Sequence, residues 1–541
     1  MNYKHLLPLL CMAFLTACDD YLDTLPDNRA ELDTEQSIAN MLVYAYPSTD
    51  FLLLTEFMSD NVDDYGENNP NADRFIEQVY RWDDVTESDN ESPERIWASS
   101  YYAIAQANHV LQAIDKMAAA GPLSPLMLSV KGEALLCRAY NHFVLVNIFC
   151  KNYNRQTSTV DPGIPYVTEP ETYVGKTYER GTVAETYRLI REDIEQGLPL
   201  VDDARLDVPK YHFNLAAAQA FAARFYLFAE EWEEAVHYAD LCLGVQPKPM
   251  LRDWAHVATL TQQASAITQH YISAQLNCNL LLMTGYSKMG LAFGPYSVYS
   301  RYAHGAYLAT NEDGNAVNIW GASTTADRRS VYYSGMKVYT ATNLDKTLFW
   351  KLPYLFEYTD AVAGIGYYHT VYPAFTADEC LLNRAEARVM LHQYDAAAAD
   401  LDLWMNNILD TSVVHLTLSP DTIQRFYNSV RDSYTPTDMD PQGLRSTIKK
   451  HLHPSFSIDA EGSVQETMLQ YVLGFRRIET LQMGLRWFDI KRYGIEVKRR
   501  VIHASGIPER QTDVLLQNDP RRAVQIPLKV RQAGMTPNER D

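Results

Sequence analysis

The chain has 541 residues, of which 47% are hydrophobic and 21% charged, and its formal net charge is −21. This composition describes a globular chain with a large core, arranged as two to four domains or as one core with insertions. So acidic a chain is a poor partner for nucleic acid or anionic lipid headgroups, while 36 tyrosines exceed what a core can use and favour a binding surface.

In chain order, residues 1–17 read as a leader. Lys4 and His5 precede a short apolar run, and Leu15-Thr16-Ala17-Cys18 has the form of a lipobox. The run is too short to span a bilayer. Lipidation at Cys18 would anchor the chain, each buried methylene contributing about 0.8 kcal/mol. Residues 18–32 form an acidic tether with Asp19, Asp20 and Asp23. The five remaining cysteines show no C-x-x-C or metal-finger spacing and read as small buried hydrophobes.

The globular part runs from residue 33. A first helix over 34–46 is capped by Asp33 or Thr34. An acidic loop follows, residues 59–67, rich in oxygen donors; its spacing is not that of an EF-hand, and it reads as a solvated loop with no metal. Ser92-Pro93 opens a long helix to residue 118, and Pro125 opens its partner. Another helix spans 182–198. Residues 214–247 form the clearest hairpin. Ala218, Phe221, Ala222, Phe225 and Phe228 line one face, then Trp232, Ala235, Val236, Ala239 and Leu243 line the second helix. Ala223, Tyr226, Trp232, Ala235 and Pro247 follow tetratricopeptide offsets, which Ala385, Tyr394 and Ala397 repeat in part.

Between 281 and 372 helical periodicity disappears and glycines and aromatic residues crowd together, predicting short strands and long loops. Residues 373–410 hold the second hairpin. Residues 411–470 read as polar loop, with His451-Leu452-His453 as solvated histidines. Residues 471–541 return to helix, and the basic run 498–500 reads as a solvated helix face. The expected fold is mainly α: a tetratricopeptide-like scaffold of helical hairpins (33–280, 373–410 and 471–541) with a loop-rich insert at 281–372 that carries short strands.

Phe475-Arg476-Arg477-Ile478-Glu479 followed by Gly484-Leu485-Arg486-Trp487-Phe488-Asp489-Ile490-Lys491-Arg492-Tyr493-Gly494 resembles the R-R-x-E…G-x-R-W-x-D-L-x-R-x-G signature of the SusD/RagB-like nutrient-binding outer-membrane lipoproteins. The lipobox followed by Asp20-Tyr21-Leu22-Asp23, Trp97 with Tyr101 and Tyr102, and Arg138-Ala139-Tyr140 add to the likeness. Met483 departs from it, where many members carry an acid. The resemblance implies a single domain over 33–541, lipid-anchored and facing the exterior of the outer membrane. It implies capture of oligosaccharides and delivery to a SusC-like TonB-dependent transporter, without catalysis or cofactor. Peptide-binding members exist, and a helical exported glycoside hydrolase is the rival reading, requiring two carboxylates roughly 5–9.5 Å apart. A protein-binding scaffold is the third reading.

Sugar recognition needs flat rings and hydrogen-bonding groups at their rim. Trp320, Tyr296 and Tyr299 in the insert and Trp82 and Tyr65 in the early loop are the candidate platforms, with Asp64 and Arg81 as polar partners.

Overall fold

The computed structural model of the protein describes residues 34–171 and 177–540. The leader, the lipobox cysteine and the tether lie outside the described residues.

Helical pairs build the frame. Thr34 caps α1 (Glu35–Met41) by accepting from Ser37 N, and α2 (Leu52–Met58) and α3 (Arg74–Tyr80) follow. Ser92 and Ser124 cap α4 (Pro93–Ala120) and α5 (Pro125–Phe149), each with proline in the first turn, where no backbone donor is missed. Of the 25 residues of α5, nearly all are buried. It lies between α4 and α6 (Val183–Gly197), and Gly132 of α5 meets Gly197 of α6 so closely that a Cβ at either would sit under 3 Å from the other's carbonyl oxygen. The expected hairpin is α7 (Leu215–Phe228) with α8 (Trp232–Leu243). Phe221 and Phe225 pack against Phe143 of α5, and Phe221 also against Phe375, so this hairpin is an interior brace. The second hairpin, α9 (Ala377–Met390) with α10 (Tyr394–Ile408), docks on α8 and buries Ala385 and Ala397 completely.

The 411–470 region is more ordered than its polarity suggests. Ser419 caps α11 (Pro420–Ser429) with a full capping box. Ser463 opens α12 (Val464–Thr480), which is buried along most of its length between α9, α10 and α11. After a turn at Gln482 and Gly484, both at positive φ, α13 (Arg486–Arg492) follows.

Among the described residues, three sheets complete the fold. β1 (Asp63–Asp64), β3 (Tyr302–Ala303), β8 (Val497–Ile502) and β9 (Pro508–Leu515) form one, in the order β3-β1-β8-β9. β2 (Asn279–Tyr286), β6 (Leu355–Asp360) and β7 (Ile365–Thr376) form the second, in the order β2-β7-β6, and β4 (Lys337–Ala341) pairs with β5 (Leu344–Leu348). The insert therefore carries strands, as expected.

The basic run 498–500 departs from its sequence reading. It is strand, not helix, and Arg499 and Arg500 are buried. Arg499 lies between the rings of Tyr80 and Trp82, its guanidinium carbon 4.0 and 4.1 Å from their centroids. Its five nitrogen–oxygen contacts all go to backbone carbonyls: Phe57, Met58, Ser59, Val62 and Tyr80. Most of these are the open carbonyls at the end of α2, where a cation is favoured.

The acidic loop also departs from expectation. Asp60, Asp63 and Asp64 are buried and each meets an arginine, Arg486, Arg500 and Arg301 respectively, at 2.8–3.0 Å. Residues 59–64 of the loop are buried rather than solvated, and guanidinium groups pair with these three carboxylates. All five described cysteines are free and buried.

Candidate functional site

The alternation of residues along a strand brings exposed rings together on the edge sheet. Tyr354, Phe356 and Tyr358 are two apart and share a face of β6 and its approach. Phe356 stands opposite Tyr368 of β7. Ring centroids then run in sequence: Tyr296 to Tyr354 at 5.8 Å, Tyr354 to Tyr368 at 5.4 Å, Tyr368 to Phe356 at 5.0 Å and Phe356 to Tyr358 at 5.0 Å. Tyr296 and Tyr354 are each 41% exposed and Tyr358 60%, so the row presents ring surface to solvent. Opposite Tyr358 stands Gly366. A Cβ there would lie 2.0 Å from Glu357 O and 2.8 Å from the Phe356 ring, so only glycine lets the rings settle this close.

A cleft of 150 Å³ opens at the Tyr296–Tyr354 end of the row. Phe293, Pro295 and Trp350 supply apolar walls and Ser265, Gln269 and Gln482 supply polar ones. Lys351 also reaches the cleft; its ammonium donates to Ile478 O at 3.2 Å and to Glu479 O. Burial pulls its pKa down to about 8. Lys346 holds the approach to the cleft in place, donating to Ala292 O at 2.5 Å and Val298 O at 2.6 Å.

The seven residues chosen from sequence do not form one site. Tyr296 heads the aromatic row. Tyr299, at positive φ, is half-buried against the core. Trp320 is also partly buried and packs on Tyr332 and Phe475, at 6.0 and 5.9 Å; it belongs to the wall of the scaffold. Trp82 is 3% exposed, donates to Met58 O at 2.8 Å and is covered by Arg499, so it offers no free face for stacking. Asp64 and Arg81 do share a cavity, of 410 Å³, but Asp64 is bound to Arg301 and Arg81 to Glu77. Tyr65 lines a neighbouring cup of 720 Å³, and the two cavities share Glu67 and Arg510 as walls.

The rings that sequence reasoning missed are Tyr354, Phe356, Tyr358 and Tyr368. Their signal was the period-two spacing of aromatic residues at 354, 356 and 358, short but readable as one face of a strand.

The signature arginines are buried and structural in their contacts. Arg476 pairs with Asp489, Arg477 with Glu312, Arg486 with Asp60 and Arg492 with Glu386. Among the described residues, Asp432, His451 and Glu461 alone could gather around a metal ion. Lys449 already lies 3.2 Å from Asp432 and 3.7 Å from Glu461, so an ammonium occupies that position. Among the described residues, no helix is long and apolar enough to cross a membrane.

The comparisons with known proteins agree with this architecture. A SusD-like family described as "Starch-binding associating with outer membrane" matches residues 20–227. A search of the curated proteins gave no match. Among solved structures, a SusD superfamily protein from Bacteroides thetaiotaomicron VPI-5482 is 16% identical, with a TM-score of 0.60 over 94% of this chain and 100% of that one. Another, from Bacteroides vulgatus ATCC 8482, is 16% identical with a TM-score of 0.58 over 93% and 98%. A SusD-like carbohydrate binding protein from the same Bacteroides vulgatus strain is 15% identical, with a TM-score of 0.54 over 92% and 96%. The N-terminal part of the chain, residues 20–227, is thus similar in sequence to the SusD-like family, and the fold is shared across nearly the full length of these structures.

Proposed function

We propose that the protein captures oligosaccharides at the outer membrane, without catalysis, on the aromatic row headed by Tyr296. The row of five rings is the observation that carries this reading. A pyranose presents an apolar C–H face that stacks on such rings, and its hydroxyls meet polar groups at the rim. Gln269 and Gln482 supply such groups in the adjoining cleft. The family description and the carbohydrate-binding relative support the ligand class.

In this reading Cys18 carries the lipid anchor and the domain faces the cell exterior. Captured glycan passes to a SusC-like TonB-dependent transporter. Glycan binding by the purified domain tests the reading. Tyr354→Ala and Tyr296→Ala are each expected to weaken binding at least about fivefold, since one ring–ligand contact contributes on the order of 1–2 kcal/mol. Release of shortened products by the pure protein would overturn the binding-only reading.

A further inference from the structure

Two buried acids meet behind one wall of the cleft. Asp50 is 2% exposed and Glu91 0%. Glu91 Oε1 lies 2.6 Å from Ser287 Oγ, and Glu91 Oε2 accepts from Lys288 N at 2.8 Å. Asp50 Oδ1 accepts from Leu52 N at 2.9 Å, but its Oδ2 is buried without a hydrogen-bond partner. Asp50 also neighbours Ser287. Among the described residues neither carboxylate is ion-paired. Lys288 is committed to Asp89. On the other side of Asp50 stand Tyr140 and Tyr372, and the Arg224 beside them holds Glu379. Burial pushes the Asp50 carboxyl up to about 7. Burial and the nearby Asp50 push Glu91 well above the usual carboxylate range.

A serine hydroxyl has one proton to give and two lone pairs to receive with. Ser287 therefore cannot donate to both acids. A proton on Glu91 resolves the conflict: Glu91 donates to Ser287 Oγ, which frees the serine proton for Asp50 Oδ2. Met289 N, 3.2 Å away, uses the other lone pair of Oγ.

Ser287 is also where the site is fastened. Its backbone N–H donates to the carbonyl of Tyr368, a member of the aromatic row, at 3.2 Å. Lys288, held through its N–H by Glu91, accepts from Leu291 N and Ala292 N and so closes the next turn. Met289, Gly290, Phe293, Gly294, Pro295 and Tyr296 then form one side of the cleft.

We propose that Asp50 and Glu91 are positioning residues, which hold one proton through Ser287 and thereby fix the wall that carries Tyr296 beside the aromatic row. This rests on the proposed function and adds to it a dependence on protonation. With the proton bound, the wall is set. When both carboxylates ionise, two negative charges face one hydroxyl and the fastening loosens. The stabilisation is complete below the unfolded-state value, about 4 for an aspartate, and is lost as pH rises through about 7.

The test compares the whole protein, without its leader, with Glu91→Gln and Asp50→Asn between pH 6 and 9. A side-chain amide keeps a donor and an acceptor at every pH, so both variants should hold the wall without the proton. Infrared difference spectra are expected to show a protonated-carboxyl band at pH 7 that is weaker in Glu91→Gln. The affinity of wild type for the strongest hit of a glycan array is expected to fall between pH 6 and 9 by at least about threefold more than that of either variant. Lys351 titrates in the same cleft, near pH 8, but in all three proteins alike, so the difference isolates the pair. Urea unfolding is expected to show wild type losing stability over this range relative to the variants, and thermal melting checks that both are folded. Equal band intensity, or pH profiles of binding and unfolding that coincide in wild type and a folded variant, overturns the pair. Absence of any glycan hit overturns the proposed function, and the infrared and urea results then decide the shared proton by themselves.

Discussion

His304 shows how much burial demands of one side chain. It is 1% exposed. Its Nδ1 lies 2.9 Å from Asn61 O and its Nε2 3.1 Å from the Asp313 carboxylate. The carbonyl can accept from one ring nitrogen and the carboxylate stands within ion-pair distance of the other, an arrangement that favours the protonated ring. Burial acts to lower its pKa and the nearby Arg477 does too, but Asp313 outweighs them and the net shift is upward from 6.5. A raised folded-state pKa means that this stabilisation is complete below the unfolded value, near 6.5, and is lost as pH rises through the folded value. His304→Gln is therefore expected to destabilise more at pH 6 than at pH 9 in urea unfolding; an equal loss at both would contradict an imidazolium. The same scale explains why the residues chosen from sequence do not gather into one site. Sequence can mark Trp82 and Trp320 as rings, but not which rings are covered. The cover on Trp82 comes from Arg499, and Asp60 meets Arg486 across 426 positions of sequence. No local pattern encodes such pairs.

Whole elements were more legible, because their information is local. Caps, proline at the first helical turn and the i, i+3, i+4 spacing fixed α4, α5, α7, α8, α9 and α10 to within a few residues. The β8–β9 hairpin escaped, because three consecutive basic residues imitate a surface helix. Its Arg499 instead closes the end of α2. Replacing it should leave several buried carbonyls unpaired, at about 1–3 kcal/mol each. Arg499→Met is thus expected to lower unfolding free energy by at least about 3 kcal/mol in chemical denaturation; a loss within experimental error would show that water or a neighbour satisfies those carbonyls. The aromatic row is legible only in retrospect: its period-two spacing covers three residues, and its other two rings come from Tyr296 and from the partner strand at Tyr368.

At the scale of the molecule, long-range ion pairs fasten the early loop to the C-terminal third. Asp60 and Asp63 hold Arg486 and Arg500, while Glu312 from the insert holds Arg477, Arg500 and Lys450. These pairs lock three distant parts of the chain together beside the paired strands β1 and β8. The membrane assignment rests on the lipobox, a short motif readable without any structure. Cys18→Ser is expected to shift the protein from the membrane fraction to the soluble one, as membrane fractionation would show; unchanged sedimentation with membranes would point to another mode of attachment. The likeness to the family and the helical frame were legible in sequence because their motifs are contiguous. The aromatic row was not, because it is assembled across sheet β2-β7-β6 and the segment around Tyr296.

The most direct test is calorimetric titration of the strongest array glycan into wild type, Tyr354→Ala and Trp320→Ala. The aromatic row predicts at least about a fivefold loss for Tyr354→Ala and an affinity within about twofold of wild type for folded Trp320→Ala. The reverse pattern would place recognition on the Trp320 wall and contradict the account.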